Sequence, residues 1–186
     1  MRAVALLLCL ALPAPALADE VSDALSEALA AYEAGDLNTT SARMITAQKA
    51  LQTQLTAKLA AFLPAAPEGW TLSQNTDTVD GMAMMGMAGV LIEGVYADAA
   101  GNSFTLTLTA DSPLVLSMAG ILGNPQMMAM MGKVTKVGGL DMLDQEGSLS
   151  ALIANRVLVQ AQGMDSAAMV PVLAAIDFDA LATFDK

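Results

Sequence analysis

The chain has 186 residues, 8 Lys+Arg against 19 Asp+Glu, no His and a single Cys. A formal charge of −11 repels phosphate backbones and anionic lipid headgroups, which argues against nucleic acid as a partner. Without His, and with Cys9 as the only thiol, the chain lacks the means for Ser-His-Asp or Cys-His catalysis, most zinc sites, and haem or iron–sulfur attachment.

Residues 1–18 read as a secretory signal peptide. Arg2 gives a positive start, Ala3 to Leu12 an apolar run, and Ala16-Leu17-Ala18 a small-x-small cleavage site before Asp19 and Glu20. Cleavage is expected between Ala18 and Asp19. Cys9 lacks the small residues that precede a lipid-attachment cysteine, and it leaves with the signal. The mature chain would then have 168 residues and, with Arg2 gone, 7 basic against 19 acidic side chains, a net −12. It would hold no disulfide, and the signal and Ala-rich composition suggest a bacterial periplasm. The longest later apolar windows, Met82–Ile92 and Leu114–Met131, are broken by Gly, Asn124, Pro125 and Gln126. No transmembrane segment is expected in the mature chain.

Residues 19–63 carry helical periodicity. Val21, Leu25, Leu29 and Tyr32 form one stripe, and Met44, Leu51, Leu55, Leu59 and Phe62 a second. Gly35-Asp36 between them supplies a C-cap and an entry signal, so the segment reads as a helical hairpin. The words Ala31-Tyr32-Glu33-Ala34-Gly35-Asp36-Leu37 resemble a single tetratricopeptide unit. The family pattern puts a small residue where Thr40 stands, and its opening Trp is missing. No second copy is present, whereas solenoids need several. The resemblance therefore implies an isolated hairpin and no peptide groove.

Residues 64–69, Pro-Ala-Ala-Pro-Glu-Gly, read as a stiff connector, and Trp70 as the anchor that packs the hairpin onto the rest of the chain. Val90–Tyr96 and Ser103–Ala110 read as a β-hairpin around Asp98–Asn102, because Phe104, Leu106, Leu108 and Ala110 alternate with Ser and Thr. Asp111-Ser112-Pro113 and Asn124-Pro125 each start a helix. Four strands come next, Lys133–Val137, Leu140–Gln145, Leu149–Ala154 and Val157–Gln162, separated by short turns. A closing helix, capped by Asp165 or Ser166, buries Met169, Val172, Leu173 and Ile176. The expected fold is α+β: an N-terminal helical hairpin, then an antiparallel sheet over 70–186 with helices packed on one face.

Candidate chemistry is sparse. The acid pairs Asp141/Asp144 and Asp177/Asp179 are near in sequence, but turn and strand-edge solvation accounts for them, and no catalytic residue is assigned. The compositional oddity is methionine. Of 14 Met, eight fall in two clusters: Met82, Met84, Met85 and Met87, then Met127, Met128, Met130 and Met131. Thioethers fill irregular gaps and make adaptable apolar surfaces. They are also soft ligands for Cu(I), and both clusters resemble the Met-rich segments of periplasmic copper-handling proteins. The expectation is a secreted, non-enzymatic binding protein with an apolar Met-rich surface or groove. Its partner would be an envelope protein or a hydrophobic small molecule, and no cofactor is assigned. The alternative is a Met-only Cu(I) site, and the third reading, behind both, is an enzyme.

Overall fold

The computed structural model describes residues 19–75 and 89–186. The expected signal peptide and the cluster Met82–Met87 lie outside the described residues. Compactness divides the chain into two units, residues 1–51 and 52–186, with the division inside a helix.

The first unit is a helical hairpin. Helix α1 (Glu20–Glu33) starts on Asp19, whose side chain accepts from the Val21 amide at 3.3 Å. Glu20 and Asp23 add acidic charge in its first turn, which suits the positive end of the helix dipole. It ends at Gly35, whose φ of +80° costs a residue without Cβ little. Asp36 then caps α2 (Leu37–Ala60): its carboxylate accepts from the Thr39 amide at 3.0 Å and the Thr39 hydroxyl at 2.6 Å. These bonds, the Thr39 hydroxyl first, hold the Asp36 carboxyl below its ordinary range. The buried side chains of α1 are Ala24 and Ala28, one position from the expected Leu25 and Leu29. Alanines let the helix pack closely, and the leucines beside them stay in solvent.

The second unit is a seven-stranded antiparallel sheet, in the order β1 (Trp70–Asn75), β2 (Val90–Asp98), β3 (Ser103–Ala110), β7 (Val157–Gln162), β6 (Ser148–Ile153), β5 (Leu140–Asp144), β4 (Lys133–Val137). Two meanders meet where β3 pairs with β7, in register Leu108↔Val159. The link from β3 to the far edge β4 carries α3 (Pro113–Leu122) and α4 (Pro125–Met131). Ser112 caps α3 and Asn124 caps α4, each with Pro in the first turn, as the Ser-Pro and Asn-Pro pairs dictate. The chain closes with α5 (Ser166–Leu173), capped by Asp165, and α6 (Phe178–Ala182), capped by Asp177.

Strand alternation sorts the core. Tyr96, Phe104, Leu106, Leu108, Val159 and Ala151 share one face, which carries most of the helical cover: α5, α6 and the end of α2 through Leu59. Tyr96 stacks on Phe104 at 4.8 Å, and Trp70 leans on the same Phe104 at 5.9 Å. Leu143, Leu152 and Leu158, which alternate with those residues along their strands, point the other way and meet Val115, Leu122 and Met128 of α3 and α4. The sheet therefore has a main covered face and a second, smaller one.

Candidate functional site

The described half of the methionine signal lies on α4, the seven-residue helix capped by Asn124 through its Gln126 and Met127 amides. Met128 is buried against Leu143 and Leu158. Met127, Met130 and Met131, spaced i, i+3 and i+4, fall on one side of the helix and are exposed, Met130 by 82%. Leu116 on α3 is exposed by 73%, and Val134, on the strand after α4, is also open. Residues 113–132 contain no charged side chain, and Lys133 and Lys136 come next. Large apolar groups gathered in solvent are the kind of surface that protein–protein contacts use.

The helices α3 and α4 are together apolar enough for a membrane span but bend by 88° at Gly123-Asn124; among the described residues no single helix is long and apolar enough to cross a bilayer. The bend comes from the caps. Gly123 ends α3, and Asn124-Pro125 restarts the chain as α4.

The acid pairs are held apart or used structurally. Asp141 and Asp144 are three apart on β5, so they point to opposite faces. Asp141 lies 3.5 Å from Lys136, while Asp144 accepts from the Ser166 hydroxyl at 2.6 Å and the Thr135 hydroxyl at 3.2 Å. Asp177 accepts from the Ala180 amide at 2.9 Å as the cap of α6, with Asp179 in its first turn. Among the described residues no group of three or more His, Cys, Asp or Glu is placed to hold a metal ion.

Sequence reasoning missed the Asp144–Ser166–Thr135 cluster. It lines an open cleft of about 910 Å³ with Lys133, Glu146, Asp165, Met164 and Val170. Residues 22 and 31 positions from Ser166 gave no local signal; only the register Lys133↔Asp144 brings β4 and β5 together there. The Ser166 hydroxyl donates to the Asp144 carboxylate, which ties the start of α5 to β5. Of the residues flanking the expected cleavage, Ala18 lies outside the described residues and Asp19 serves as the α1 cap. No family model, curated protein or solved structure matches the chain.

Proposed function

We propose that this chain is a non-enzymatic binding protein of the bacterial envelope, and that the Met-rich side of α4 with Leu116 is its docking surface for another envelope protein. One observation carries this reading: three thioethers and a leucine stand in solvent on a charge-free bent helix pair whose inner side already supplies Val115, Leu122 and Met128 to the core. The outward side is thereby left open to a partner. Met adapts to varied apolar partners because its chain is unbranched and polarisable.

A second reading has its own observation. Met127, Met130 and Met131 share one side of α4 and offer thioethers, soft ligands for Cu(I), and the sequence carries four more in Met82, Met84, Met85 and Met87. One variant pair separates the readings. Changing Met127, Met130 and Met131 to Leu keeps apolar volume and removes sulfur, whereas changing them to Gln removes the apolar surface. A photo-crosslinker at position 116 reports the docked partner. Docking predicts a discrete adduct that survives the Leu change and is lost with Gln. Copper binding predicts loss of Cu(I) affinity with either. An adduct indifferent to both changes would sink the docking reading.

A further inference from the structure

The first unit is underpacked for a hairpin on its own. Its buried side chains are four alanines, Ala24, Ala28, Ala47 and Ala50. Meanwhile Leu25, Leu29 and Tyr32 on α1, and Leu37, Met44 and Leu51 on α2, are exposed, Leu25 by 52% and Tyr32 by 61%. A helix of fewer than about 15 residues is marginal in water without a packed apolar face, and alanines contribute little area.

The exposed residues form a pattern. Leu37, Ser41, Met44, Gln48 and Leu51 recur at spacings of four and three, the seam of a helix bundle. With Val21, Leu25 and Tyr32 they line an apolar groove of about 680 Å³ between the two helices. Charge is divided between the helices. Every charged residue of α1 is acidic, namely Glu20, Asp23, Glu27 and Glu33, and the two charged residues on the part of α2 within this unit, Arg43 and Lys49, are basic. Within the hairpin this already gives an ion pair, Arg43 to Glu27 at 2.9 Å.

We propose that the groove is the interface for a second copy of this chain, two hairpins closing into an antiparallel four-helix bundle. In such a bundle each α1 has an α2 on either side, one its own and one the partner's, so acidic helices always adjoin basic ones. A two-fold axis would present this apolar seam to its own copy, as an isologous interface requires. Ser41 and Gln48, polar positions within the seam, fix its register. This interface is separate from α3–α4 and stands or falls apart from the docking reading.

The test is the oligomeric state of the purified chain by sedimentation over a concentration series. The expected result is a monomer–dimer equilibrium, with a melting temperature that rises with protein concentration. Leu25→Glu with Met44→Glu should shift the equilibrium to monomer by at least tenfold, with helical circular dichroism of the sheet-bearing unit retained. Leu116→Gln with Met130→Gln should leave the dimer unchanged. A monomer at all concentrations with a concentration-independent melt, or a dimer dissolved by the α3–α4 changes and not by the hairpin changes, would overturn the proposal. The melting series needs no substitution, so a variant that fails to fold does not leave the question open.

Discussion

Tyr96 shows how one residue ties sequence to stability. Its ring is fully buried against Phe104, and its hydroxyl donates to the Pro64 carbonyl at 2.7 Å. Burial disfavours the phenolate and pushes its pKa up to about 12. The folded chain thus keeps this proton where the unfolded chain gives it up. Stability from this group is complete below the ordinary value of 10.0 and is lost as pH rises toward about 12. Urea midpoints measured between neutral and alkaline pH should fall over that window, and Tyr96→Phe should flatten the fall. The same change leaves the Pro64 carbonyl unpaired and should cost about 1–2 kcal/mol at neutral pH. An unchanged alkaline loss in the Phe variant would assign it to another group. At this scale the sequence was only partly legible. That Phe104, Leu106 and Leu108 are buried can be read from their alternation with Thr. That Met128 is buried and Met130 exposed cannot, because α4 has no charged side to show which way it faces.

Elements were legible where caps and turns carry the signal. Ser103–Ala110 and Lys133–Val137 run as their residues suggest, and Gly138-Gly139, both with positive φ, turns β4 into β5. At the other hairpin, Asp98 accepts from the amides of Ala100 and Asn102 at 2.9 Å each. The Asn102 side chain above all holds its carboxyl below the ordinary range. Strand β1 was not legible as such. Trp-Thr-Leu-Ser-Gln-Asn is an edge strand with one partner, β2, and a half-exposed apolar side too short to show a period. The stripe of α1 misled by one position, since Ala24 and Leu25 lie about 100° apart on a helix and both read as apolar. Pro171 sits inside α5, which stops two residues later at Leu173. The cap at Asp36 gives the test at this scale. Asp36→Ala should loosen the first turn of α2, and Asp36→Asn should retain most of the cap. The Asp contribution is present above the ordinary carboxyl value and is lost as pH falls through the lowered one. Amide exchange over the first turn of α2 reads it directly, and equal exchange in all three proteins would deny the cap its role.

For the whole molecule, the decisive fact is that α2 serves two units. The Pro-rich segment 64–69 marks a change of composition, and the compact division lies upstream of it, between Leu51 and Gln52. The reason is burial. Leu59 and Leu63 are part of the main core, Leu55 and Phe62 pack on it, and Phe62 meets Phe184 edge-on at 6.2 Å. Gly94 is where the sheet admits Leu63: a Cβ there would sit 3.2 Å from both of its methyls. Helical period alone could not separate the two halves of α2, because both carry apolar residues at the same spacing. A fragment of residues 52–186 should therefore unfold in one cooperative transition. A fragment of residues 70–186 loses Leu59 and Leu63, and truncating one such buried leucine costs about 2–5 kcal/mol. Losing both takes most of the roughly 5–15 kcal/mol that stabilises a typical domain. The surface pair Lys58–Asp185, at 2.9 Å, goes too, but an exposed ion pair is worth at most about 1 kcal/mol. The shorter fragment should thus melt broadly or bind a dye for exposed apolar surface, while the longer one does neither. Equal cooperativity in both would place residues 52–69 outside the core and make α2 an appendage along its whole length.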